Sequence, residues 1–119
     1  MEKADLKLVN LLISRGEMVV LFFKSDYCYL CSALLPMVEN LCQRTEPSYN
    51  FYLVDVLEEG YFQEKYKEKI DGIPSFLCMK EYREEIMPDP EEPVPETWYT
   101  LEFIEKYLRS FKNENSFDV

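Results

Sequence analysis

Residues 18–23 read Met-Val-Val-Leu-Phe-Phe, an uninterrupted apolar stretch of strand length bounded by turn residues. A strand without polar positions suits burial on both faces, as in the middle of a sheet covered by helices. The segments around it agree. Leu6, Val9, Leu12 and Ile13 fall at helical spacing in residues 2–15, and Gly16 stops that run. After the turn Ser25-Asp26-Tyr27, a second helix opens at Cys28 and carries Leu30, Leu34, Leu35, Val38 and Leu41 on one side. Pro36 falls inside it, removes one backbone hydrogen bond and predicts a kink.

A second strand is expected over 49–56, then a helix over 58–70 with Phe62, Tyr66 and Ile70 one turn apart. Asp71-Gly72-Ile73-Pro74 is a turn, and residues 75–80 and 83–87 read as a hairpin. Residues 88–96 hold four prolines and four acids, which predicts a stiff, solvated spacer. Thr97 or Thr100 caps a last helix running to about Phe111, with Leu101, Ile104, Leu108 and Phe111 inward. The order α-β-α-β-α-β-β-α predicts an α/β fold: a central mixed β-sheet flanked by helices, with an N-terminal helix. At 119 residues the chain fits one domain, assigned to 1–112, with a flexible tail over 113–119. A chain of this size buries roughly 70% of its unfolded surface, enough for a core without disulfide staples.

Composition narrows the chemistry. Thirteen basic against 23 acidic side chains give a net charge of −10, which disfavours nucleic acid and anionic membrane surfaces. The N-terminus does not read as a signal peptide, and no apolar run approaches the roughly 20 residues of a membrane span. A cytoplasmic protein is the expectation. There is no histidine, so imidazole bases, Cys–His nucleophiles and His-ligated metals are excluded. What remains is Cys, carboxylate, Lys or Tyr chemistry.

Four cysteines are present, and their spacing is informative. Cys28 and Cys31 form a Cys-x-x-Cys pair directly after the buried strand, where the helix opens. Free N–H groups and the macrodipole at a helix N-terminus favour a thiolate. Cys28 is expected exposed at the first turn, with Cys31 one turn later on the same face, able to close a small disulfide ring. An exposed attacking thiol and a shielded resolving thiol are what thiol–disulfide exchange requires. Two plainer readings compete: a structural cysteine pair, and zinc. The spacing C-x2-C-x10-C-x35-C lacks the paired knuckles of a structural zinc site, and no metal is expected. Cys42 and Cys78 read as small buried apolar residues.

The strand leading into Cys28 and Cys31, Pro36 eight residues after the first cysteine, and Gly72-Ile73-Pro74 before the hairpin together resemble the thioredoxin family over residues 15–111. The resemblance implies a thioredoxin-like fold and a cis-proline at Pro74 packed against the disulfide, with Ile73 offering backbone hydrogen bonds to a substrate strand. It also implies a thiol–disulfide oxidoreductase with Cys28 as nucleophile and Cys31 as resolver. Tyr27, Tyr29, Leu30, Ile73 and Pro74 become the substrate contacts. Protein disulfides are the implied partners, with an external reductant, no bound cofactor and a monomeric chain. Asp55 falls where the family commonly has an acidic residue.

Several positions depart from the family pattern. Tyr29-Leu30 replaces Gly-Pro between the cysteines. Phe22 and Phe51 stand where the family has a buried Asp and its facing Lys, which keeps packing and removes a base. Lys24 and Tyr27 replace tryptophans, the 55–72 helix reads about one turn longer, and the Pro/Glu loop replaces a glycine after the hairpin. The lost carboxylate favours a second reading, a binding or adaptor module on the same fold.

Overall fold

The computed structural model describes residues 1–90 and 99–114. Its sheet is built on the apolar run, which forms β1 (Val19–Lys24), fully buried except at its last residue. β1 pairs in parallel with β2 (Phe51–Asp55) and antiparallel with β3 (Ser75–Lys80), and β3 pairs antiparallel with β4 (Arg83–Ile86). The order β2-β1-β3-β4 makes the sheet mixed, with the two most apolar strands at its centre.

Alternation along β1 divides the core in two. Val20 and Phe22 face α2 (Tyr29–Thr45) and α4 (Leu101–Asn113), packing with Leu34, Val38, Leu41, Ile104 and Leu108. Val19, Leu21 and Phe23 face the other way, against Val9 and Leu12 of α1 (Leu6–Ser14) and Phe62 and Tyr66 of α3 (Tyr61–Tyr66). A strand with two dry faces therefore serves two cores, as its composition requires. No helix among the described residues is long and apolar enough to cross a membrane.

Three elements are shorter than the sequence pattern suggests. Residues 2–4 are extended, with Ala4 N–H donating to the Leu53 carbonyl and Leu53 N–H to that of Glu2, so they cover the edge of β2. α1 starts only after Asp5, whose carboxylate accepts from Lys7 N–H at 2.8 Å as its N-cap. Gly16, at φ +77°, ends the α1 turn in the left-handed region. β2 starts at Phe51 because Asn50 is left-handed at φ +48°.

The expected helix over 58–70 condenses to the six residues of α3. Asp55 holds the preceding segment in a turn by accepting from Leu57 N–H with its carboxylate and from Glu58 N–H with its carbonyl. Beyond α3, Lys69 and Ile70 both donate to the Tyr66 carbonyl in a turn, which keeps Ile70 packed without continuing the helix. The helical part is thus shorter than the expected 58–70 span. Thr100, accepting from Phe103 N–H at 3.1 Å, caps α4. Thr97 and residues 91–96 of the Pro/Glu spacer lie outside the described residues, as do tail residues 115–119. Asn113 closes α4, and the Glu114 carboxylate and carbonyl both accept from Arg83.

Candidate functional site

The site begins where β1 ends. Ser25, buried despite its hydroxyl, accepts from Tyr27 N–H through Oγ at 3.1 Å and from Cys28 N–H through its carbonyl at 3.1 Å. This turn delivers Cys28 to the N-cap position of α2, where its Sγ accepts from Cys31 N–H at 3.1 Å. Cys28 and Cys31 are joined in a disulfide with their Cα atoms 5.2 Å apart. Cys31 is 2% exposed, and Cys28 is half-buried, less open than the sequence pattern suggests. The aromatic side chains flanking Cys28 are open instead: Tyr27 is 89% and Tyr29 79% exposed.

Electrostatic help for a Cys28 thiolate comes from the helix terminus. An N–H aimed at Sγ and the positive end of a 17-residue helix both favour negative charge there. Lys24 is otherwise occupied. Its ammonium lies 2.8 Å from Asp26 and 3.7 Å from Asp55, and the Asp26 hydrogen bond raises its pKa above the ordinary lysine value. The same bond holds the Asp26 carboxyl below its usual range. Phe22 is fully buried and stacks on Phe76 at 5.0 Å, with Tyr99 edge-on to Phe76. Phe51 is in the same core. Positions 22 and 51 are therefore apolar packing with no group to carry a proton.

The Ile73–Pro74 bond is cis, and the Ser75 hydroxyl donates to the Gly72 carbonyl across the turn. Neither backbone group of Ile73 is hydrogen-bonded within the described residues. Between this loop, the start of α2 and the segment after β4 lies an open groove of about 580 Å³. Leu30, Ile73, Pro74 and Met87 line it, with Asp71 and Asp89. Behind the loop a smaller hollow of about 250 Å³ shares Gly72 and Ile73 and is otherwise lined by side chains such as Phe23 and Ile70. The structure thus brings Ile73 and Pro74 to one groove with Leu30, which lies between the two cysteines in sequence, while neither cysteine is among the lining residues. Tyr27 and Tyr29 stand in solvent beside Cys28 and are not among the groove's lining residues.

Ser25, Met87 and Asp71 are site residues that motif and spacing do not mark, whereas Asp89 belongs to the acidic 88–96 segment. A serine two residues before a tyrosine in a short turn is a usable signal for the first. Asp71 belongs to the Pro74 loop itself, and Met87 and Asp89 enter the site because β4 returns the chain to that loop. Cys42 and Cys78 stay away from the pair: Cys78 is buried inside β3 as expected, whereas Cys42, in late α2, is only half-buried. Among the described residues no three His, Cys, Asp or Glu side chains are grouped to hold a metal.

A mixed four-stranded sheet between helices, with a disulfide closing the first turn of one helix and a cis-proline before β3, sets the chain among the thioredoxin-like α/β folds. The Thioredoxin family model matches residues 5–92, and the chain belongs to the thioredoxin family. A thioredoxin H-type from Fagopyrum esculentum is 32% identical over 69 residues, covering 58% of this chain and 57% of that protein. The chain thus matches little more than half the length of this relative. Chloroplastic thioredoxin z superposes with a TM-score of 0.69 at 15% identity over 96% of both chains. Mitochondrial thioredoxin 3 from Saccharomyces cerevisiae, in its oxidised form, gives 0.65 at 19% identity over 92% of this chain and 94% of that one. At these identities the likeness is one of fold.

Proposed function

We propose that the chain is a thiol–disulfide oxidoreductase acting on protein disulfides. The observation that carries this reading is the asymmetry of the pair: Cys28 accessible at a helix N-cap with an N–H on its sulfur, Cys31 buried behind it. In the reduced form, the Cys28 thiolate attacks one sulfur of a substrate disulfide and expels the other as a thiolate. Cys31, on losing its proton, attacks the Cys28 sulfur and releases the second substrate thiol. The Cys28–Cys31 disulfide that results takes two electrons and two protons from an external thiol reductant. The free backbone groups of Ile73 suit pairing with an extended substrate segment, and Leu30 and Pro74 provide apolar walls. Tyr27 and Tyr29 give the substrate exposed rings on which to pack.

Because positions 22 and 51 hold no acid or base, Cys31 must pass its proton to solvent or to the departing substrate thiolate. Reduction of insulin in the presence of dithiothreitol tests the reading. The chain accelerates precipitation of the insulin B chain, and the Cys28→Ser variant does not; equal rates overturn the proposal. Equal rates with retained binding of partner proteins would instead support an adaptor, which the apolar Phe22 and Phe51 positions favour.

A further inference from the structure

The charges lining the groove are unbalanced. Asp71 makes no hydrogen bond or ion pair among the described residues and is exposed. Asp89 is exposed as well, and its only described partner is the Tyr99 hydroxyl, which donates to Oδ1 at 3.4 Å. Lys69 is the cation lining the same groove, and it is 3.2 Å from Glu84 and so neutralised. Two carboxylates thus remain without an ion-pair partner among the described residues, in a groove whose walls are largely apolar, Leu30, Ile73, Pro74 and Met87 among them.

We propose that this groove selects substrate disulfides flanked by Lys or Arg, with Asp71 and Asp89 as the residues that set the preference. The inference rests on the exchange reading above and adds the substrate class to it. A segment lying against Ile73 and Pro74 must pass the two carboxylates. A cationic side chain there meets them at the groove rim, where its stem packs on apolar wall and its head stays hydrated. An acidic segment meets the same two charges plus the field of a chain carrying −10 overall, and is repelled. Exposed charges of this kind are screened over about 8 Å at physiological ionic strength, so the preference is greatest in dilute buffer.

Competitive capture tests this. Two cysteine peptides, identical except for Lys or Glu on both sides of a cysteine activated as its thionitrobenzoate disulfide, are offered together to the reduced Cys31→Ser protein. Mass spectrometry reads the ratio of mixed disulfides, and the Cys28→Ser/Cys31→Ser double variant supplies the background from Cys42 and Cys78. The Lys peptide is captured roughly tenfold faster at low salt. That ratio falls toward one in the Asp71→Asn/Asp89→Asn variant and in high salt. Because both peptides share one reaction, any overall change in reactivity cancels. A ratio near one in the parent overturns the selectivity while exchange itself stands. A ratio unchanged in the Asn variant shows that the overall charge, not these residues, sets it, and overturns the assignment. Failure of the parent to capture either peptide above background overturns the exchange reading and this inference together.

Discussion

At the residue scale the four cysteines separate into two kinds. Burial, with the Glu46 carboxylate accepting from its thiol at 3.3 Å, pushes the Cys42 pKa up to about 11. Burial inside β3 pushes Cys78 higher still. At pH 7.5 only about one Cys42 in a few thousand is a thiolate. In the reduced protein, iodoacetamide is expected to label Cys28 well before Cys42 or Cys78, read by peptide mass spectrometry. Faster labelling of Cys42 would contradict the N-cap account of Cys28 activation. Phe22 is the other informative residue. It is fully buried against Phe76, so Phe22→Ala is expected to cost about 3–5 kcal/mol in urea denaturation. A loss near zero would mean that position 22 is not packing.

At the element scale the two terminal helices depend on short polar caps. Asp5 accepts from Lys7 N–H and Leu8 N–H at the start of α1, and Thr100 accepts from Phe103 N–H at the start of α4. Asp5→Ala and Thr100→Ala are each expected to lose about 1 kcal/mol of stability in equilibrium denaturation. Neither cap touches the groove, so disulfide exchange at a temperature where both variants remain folded is expected to match the parent. The elements also show where sequence periodicity misleads. Phe62, Tyr66 and Ile70 do lie on one side, yet only six residues are helical, because a turn after Tyr66 keeps Ile70 in the same core. Burial pattern reports which side chains face inward; it does not report which backbone hydrogen bonds are made. The short edge at residues 2–4 is the same lesson, since Asp5 is a recognisable N-cap that dates the helix start.

Across the whole molecule, burial holds five of the nine tyrosines, at 49, 52, 66, 99 and 107, above the ordinary phenol pKa. Near Tyr99 and Tyr107 the carboxylates of Asp89 and Glu85 add to that effect. The folded chain therefore holds these protons more tightly than the unfolded chain does. Their contribution to stability is complete below the unfolded phenol pKa of about 10 and is lost as pH rises toward the folded values. An alkaline titration followed by tyrosinate absorbance is expected to show a late phase that coincides with loss of far-ultraviolet circular dichroism. A late phase with the fold intact would contradict this.

The two-sided burial of 18–23, the element order and the Cys28–Cys31 pair at the head of a helix were all readable from composition and spacing. They rest on interactions between residues close in sequence, or on the demand that apolar side chains leave water, and both are written locally. The groove was not readable in this way. Leu30, Pro74 and Asp89 meet only because β3 and β4 fold back beside β1, and Lys24, already bonded to Asp26 two residues on, also comes within 3.7 Å of Asp55 because parallel pairing sets it opposite. A sequence fixes which residues must be buried or capped, but the partner of an exposed charge depends on strand register. Register is settled by long-range packing, and that is why the cysteine pair could be named from the chain while its surroundings came from the fold.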